Sequence, residues 1–169
     1  MRLVLIRHAI AGDRDAFAAE SGRPDAERPV TPEGRKKMEA NAHGLRAVVP
    51  QLDVLATSPY TRARETAEIV ADAYDGLAVT EVPALASGGS RDEVLKWLQA
   101  QHAEFVALVG HEPDLGALIA WLVTGDAAPF VTLKKGGAGL LVGEGPPGPG
   151  LAELSWVLTP KLLRRLSRD

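Results

Sequence analysis

The chain has 169 residues, 46% hydrophobic and 24% charged, a balance that predicts one soluble globular domain over residues 1–169 and argues against a disordered or membrane-embedded polypeptide. Its net charge of −3 supplies no broad attraction for nucleic acid or an anionic bilayer, so any anion site has to be local. Without cysteine there is neither disulfide nor thiolate chemistry.

The opening apolar run, Leu3 to Ile6, is too short for a signal peptide and runs into the Arg7-His8 pair, so it reads as a strand. No stretch approaches the roughly 20 apolar residues of a membrane span, which makes the cytoplasm the expected location. Similar short runs at residues 54–56 and 105–109 predict further strands buried on both faces. Between them lie helical patterns. Residues 32–48 open with Thr31 as N-cap and Pro32 at the first helical position. Residues 61–74 follow, then residues 90–101, where Ser90 and Glu93 have capping-box spacing. Residues 113–123 make another helix, stopped by Gly125.

This alternation predicts a three-layer α/β/α fold with a mostly parallel central sheet and a site at the carboxyl ends of its strands. Residues 139–142 and 151–157, separated by the turn-rich Glu144-Gly145-Pro146-Pro147-Gly148-Pro149-Gly150, predict a hairpin at one side of the sheet. The Gly136-Gly137-Ala138-Gly139 stretch lacks the spacing of a dinucleotide fingerprint or P-loop and reads as strand entry. Residues 161–166 form a short basic helix candidate whose cations suit a helix C-terminus, a solvated turn more than a binding arm.

Polar punctuation follows three of the strands. Arg7 and His8 come directly after the first, Arg62 lies in the first turn of the helix after residues 54–56, and His111 ends the run at residues 105–109. A parallel sheet brings all four to one edge. A phosphoryl group needs cations against its non-bridging oxygens and a nucleophile in line with the leaving group, and two arginines with two histidines supply both. Amide groups at the adjoining helix N-termini add to such an anion site. Arg64 reads as a helix-surface charge, and His43 and His102 as solvated. Helix capping accounts for Thr31, while Arg28 is a candidate rim residue facing an acidic substrate. No two histidines have a metal-ligand spacing such as His-x-x-x-His, so neither metal nor cofactor is expected.

These residues carry a resemblance. Leu3-Val4-Leu5-Ile6-Arg7-His8-Ala9 resembles the signature strand and Arg-His-Gly motif of the histidine phosphatase superfamily, and Ser58-Pro59-Tyr60-Thr61-Arg62-Ala63 with Glu65-Thr66 is similar to its second arginine motif. Val109-Gly110-His111 resembles the surroundings of its second catalytic histidine. Arg28-Pro29-Val30-Thr31-Pro32-Glu33-Gly34 is similar to the Arg-Pro-Leu-Thr-x-x-Gly of the short phosphohistidine phosphatase branch. The resemblance implies a phosphoglycerate mutase-like fold and metal-independent, two-step hydrolysis. His8 would be the nucleophile, with Arg7, Arg62 and His111 in the pocket and Arg28 beside the substrate.

Two departures stand out. Ala9 replaces the family's glycine, and Val82-Pro83-Ala84-Leu85-Ala86-Ser87-Gly88-Gly89 lacks the acidic residue that the family's phosphomonoesterases place there as proton donor. An alkoxide leaving group benefits from such an acid, whereas an imidazole can be protonated near neutral pH. The expected substrate is therefore protein phosphohistidine, with a phosphorelay component one such partner, unless Glu81, Asp92 or Glu112 reaches the site. The alternatives are a phosphatase for small phosphate esters, which normally has roofing insertions that this short chain lacks, and a non-catalytic phosphate-binding module.

Overall fold

The computed structural model describes residues 1–167. Six strands, β1 (Arg2–Arg7), β2 (Val54–Thr57), β3 (Val79–Glu81), β4 (Phe105–Gly110), β5 (Ala138–Val142) and β6 (Glu153–Leu158), form one sheet in the order β3-β2-β4-β1-β5-β6. The first four in that order run parallel, and β5 and β6 are added antiparallel beside β1. The sheet is thus mixed and mostly parallel, with the expected hairpin at one side.

The described residues form six helices, α1 (Arg14–Ser21), α2 (Pro32–Val48), α3 (Thr61–Ala73), α4 (Arg91–Gln99), α5 (Asp114–Thr124) and α6 (Pro160–Leu166), of which α2 to α6 pack on the sheet. Successive strand residues point to opposite faces, which explains why the central strands are apolar without alternation. Val4 and Ile6 pack with Met38 and Leu45 of α2, Ile69 of α3 and Leu163 of α6. Leu3 and Leu5 pack on the other face with Leu98 of α4 and Leu115 and Ile119 of α5. Three layers result. None of the helices of the described residues is long and apolar enough to cross a membrane.

Local chemistry accounts for most boundaries. Thr31 caps α2 by accepting the Gly34 N–H at 2.9 Å, and Gly125 ends α5 with a φ of 80° that suits glycine. The Ser90–Glu93 box is only half made: Ser90 accepts the Glu93 N–H at 3.3 Å, but the Glu93 carboxylate pairs with Lys96 at 3.0 Å. α3 and α4 end at Ala73 and Gln99, short of the expected positions 74 and 101, and α5 starts at Asp114 after Pro113. Four elements lack a sequence counterpart, among them the 3₁₀ turn Pro83–Leu85. α1 buries no residue and so has no apolar stripe, β3 is a three-residue exposed edge strand, and Asp25–Glu27 is a single 3₁₀ turn. That turn positions part of the site.

Candidate functional site

Parallel pairing brings the three polar junctions together. Arg7 pairs with Gly110, the His8 N–H donates to the Gly110 carbonyl at 3.0 Å, and the Ser58 N–H donates to the Val109 carbonyl at 2.9 Å. The carbonyls of Arg7 and His8 both accept the Gly136 N–H at 3.1 Å. Gly136 reaches them with a φ of 75°, so this glycine shapes the loop after β1 as well as leading into β5. The Ala9 N–H donates to Thr66 Oγ1 at 2.9 Å, and that hydroxyl donates to the Arg62 carbonyl at 2.6 Å, tying the β1 loop to α3. Ala9 is absent from the positive-φ positions and its methyl is buried in the core, so the residue does not need a glycine's conformational freedom.

His8, Arg62 and His111 are all buried, while Arg7 is half-buried. His8 Nδ1 lies 2.7 Å from the Ala9 carbonyl oxygen. A carbonyl only accepts, so Nδ1 carries the proton and the lone pair is on Nε2. Arg62 Nε donates toward that lone pair at 3.4 Å, and the His111 ring centroid lies 5.2 Å from that of His8. Burial, then the neighbouring His111, Arg62 and Arg7, push the His8 pKa down to about 3, against the opposing hydrogen bond to Ala9. Burial therefore outweighs the flanking arginine charges in keeping this imidazole neutral.

His111 Nε2 lies 2.7 Å from Ser58 Oγ, and its ring packs against Tyr60 at a centroid distance of 4.9 Å. Burial and Arg62 lower its pKa to about 4. Arg7 donates from Nη1 to the Leu133 carbonyl at 2.9 Å. Two buried side-chain nitrogens, Arg7 Nε and His111 Nδ1, make no hydrogen bond within the protein. An anion with several acceptor oxygens can satisfy both, and Arg62 supplies further charge beside Nε2 of His8. The arrangement can hold a phosphoryl group against a neutral imidazole.

Asp25 organises the cations, a role the sequence patterns left unmarked. Arg62 donates from Nη1 to the Asp25 carbonyl at 2.9 Å and from Nη2 to Asp25 Oδ2 at 3.1 Å. Arg28 Nε donates to Asp25 Oδ1 at 2.8 Å, and Arg14 Nη2 donates to Oδ2 at 3.1 Å. Burial alone would raise the Asp25 pKa, but hydrogen bonds from Arg14 and Arg28 and the Arg62 charge hold it well below the usual carboxylate range. Arg28 is itself buried, donating to the Gly12 carbonyl and to the Asp25 carboxylate that it shares with Arg62, and so does not line an open rim. The available signal was the spacing of Asp25 and Arg28, three residues apart ahead of the capped helix.

The expected alternative acids are placed differently. Glu112 spends both oxygens as acceptors, Oε1 from the Leu133 N–H at 2.8 Å and Oε2 from the Gly116 N–H at 3.1 Å, so it braces the segment that holds Arg7. Glu81 and Asp92 are exposed. Asp114, unmarked in the sequence, accepts the Gly88 N–H at 2.8 Å and lines a cavity with His111. Arg64, His43 and His102 are exposed, and Thr31 serves its helix cap. Among the described residues no three histidine or carboxylate side chains group as metal ligands.

The buried neutral histidines make stability depend on pH. Unfolded imidazoles protonate near their usual 6.5, whereas folded His8 and His111 resist protonation down to about 3 and about 4. Unfolding therefore takes up protons in that window. Their stabilisation is complete above pH 6.5 and is lost as pH falls toward 4, on the order of a few kcal/mol for each. Thermal unfolding between pH 7.5 and 4.5 should show a shallower loss for His8→Ala than for the unsubstituted protein. Equal slopes would contradict the neutral, buried state of His8.

The histidine phosphatase superfamily (branch 1) model matches residues 3–87, half of the chain. An uncharacterized protein of Picosynechococcus is 37% identical over 141 residues, covering 81% of this chain and 82% of its own. Phosphohistidine phosphatase SixA of Escherichia coli is 32% identical over 136 residues, covering 78% and 80%. A solved structure of the protein histidine phosphatase SixA with tungstate shares the fold, with a TM-score of 0.80 at 24% identity over 96% of this chain and 99% of that one. The chain belongs to the histidine phosphatase superfamily.

Proposed function

We propose that this phosphatase hydrolyses protein phosphohistidine through a phosphoryl intermediate on His8. The observation that carries this reading is the neutral His8 ring, whose Nδ1 proton is held by the Ala9 carbonyl and whose Nε2 lone pair meets Arg62 at the pocket.

In the first step the Nε2 lone pair forms a bond to phosphorus as the substrate's P–N bond breaks. The bonding pair goes to the departing imidazole nitrogen, which takes a proton from water. In the second step water attacks phosphorus and the P–Nε2 pair returns to His8; the water's oxygen leaves on inorganic phosphate with one of its protons, and its other proton neutralises the hydroxide left by the first step. Arg7, Arg62 and His111 bind the non-bridging oxygens, and Arg28 supports Arg62 through Asp25. No metal or cofactor takes part in this scheme. The imidazole leaving group suits a site whose 82–89 segment has no carboxylate. We further propose that the protein acts in the cytoplasm as a single domain, without nucleic acid or membrane.

Asp114 favours one second reading. Because it lines a cavity with His111, it stands as a proton donor should the substrate be a small phosphate ester. A leaving-group series separates the two. Phosphohistidine and aryl phosphates should outrun alkyl phosphates in kcat/KM by about a hundredfold or more, the contribution a positioned acid would otherwise supply. A flat series, abolished by Asp114→Asn, would establish the ester reading instead. His8→Ala should lose activity by about a thousandfold or more while remaining folded, and near-normal turnover would remove His8 from the mechanism.

Asp25→Ala frees Arg62 and Arg28 from their shared carboxylate. It should lower kcat/KM for an aryl phosphate by about ten- to a hundredfold and weaken inhibition by tungstate, the loss expected for misplacing a charge-assisted donor. Unchanged inhibition would show that Arg62 keeps its place without Asp25.

A further inference from the structure

A cavity lined by three cations adjoins Ala9 and Ile10, the residues after His8, although the chain carries a net charge of −3. Three basic runs, Arg35-Lys36-Lys37 on α2, Lys134-Lys135 before β5, and Arg164-Arg165 on α6, come from distant parts of the sequence. Lys37, Lys135 and Arg164 line one cavity with Asn41, Ala9 and Ile10, and no carboxylate lines it. Lys37 pairs with Glu33 outside that lining.

The cavity shares its framework with the site. Asn41 accepts from Arg164 Nη1 at 3.1 Å and donates to the Gly136 carbonyl at 3.0 Å, while the Gly136 N–H holds the carbonyls of Arg7 and His8. Ala9 and Ile10 are the two residues after His8, and Ile10 is exposed. A polypeptide presenting a phosphorylated side chain to His8 would have its neighbouring residues within reach of this cavity. Separate cations on three elements suit carboxylates spaced along a chain, whereas a single phosphate already has its place at His8.

We propose that this basic cavity is a docking subsite for an acidic segment of the phosphorylated polypeptide. The proposal rests on the phosphohistidine reading and adds the substrate feature that the pocket itself does not select. The carboxylates would steer the encounter and fix its orientation, and would be screened by salt because the cations are partly exposed.

Two synthetic dodecapeptides with a central phosphohistidine, one flanked by glutamates and the other by glutamines, test it. At low salt the glutamate peptide should show about tenfold higher kcat/KM, an advantage lost at high salt. The Lys37→Ala/Lys135→Ala variant should lose that preference while hydrolysing p-nitrophenyl phosphate within about twofold of the unsubstituted rate, since both lysines lie outside the phosphoryl pocket. Equal rates on the two peptides, or a preference that survives the double substitution, would overturn the subsite. If neither peptide is hydrolysed while p-nitrophenyl phosphate is, the phosphohistidine reading fails. Binding of the unphosphorylated peptides, read by fluorescence anisotropy, then decides the cavity separately: the glutamate peptide binding about tenfold more tightly supports it, and equal binding overturns it.

Discussion

The hydrogen bond from His8 Nδ1 to the Ala9 carbonyl decides which nitrogen of a buried imidazole faces the pocket. It is short in sequence but depends on the whole fold. The Ala9 backbone is anchored through its N–H to Thr66 on α3, and the His8 backbone is anchored to Gly110 of β4 and Gly136 before β5. Three segments from separate parts of the chain thus set one tautomer. Burial then disfavours the imidazolium, so the lone pair survives at neutral pH without a dedicated base.

A neutral histidine beside clustered arginines leaves an excess of positive charge that has to be held without phosphate. Asp25 provides the counterion, bonded to Arg14, Arg28 and Arg62, and it does so from a one-turn 3₁₀ segment between α1 and α2. Glu65 fixes the next part of the same loop by accepting the Val30 N–H at 2.7 Å. Glu112 acts likewise for Arg7, through Leu133. Arg62 and Arg28 are thus placed directly by a carboxylate, and Arg7 by the Leu133 carbonyl that Glu112 braces.

The strands that carry Arg7, His8 and His111 were legible because burial on both faces writes an unbroken apolar run, and their junctions expose polar residues at one edge. Arg62 was legible from its proline turn and helix start. Asp25 and Asp114 were not, because carboxylates in loops and first helical turns have ordinary solvated or capping roles and no periodicity separates the exceptions. The sequence makes Arg28 a candidate rim residue, but its inward direction depends on Asp25 and Gly12, contacts that only folding creates. α1 and β3 escaped for the same reason, since elements without a buried face leave no hydrophobic signal.

The neutral imidazole of His8 is proposed to take the phosphoryl group on Nε2. The most direct measurement is to denature the ¹⁵N-histidine-labelled protein in base during turnover and map the phosphoryl group by ³¹P–¹⁵N coupling. One adduct is expected, on His8, joined through Nε2. A phosphoryl group on Nδ1 of His8, or on His111, would contradict it.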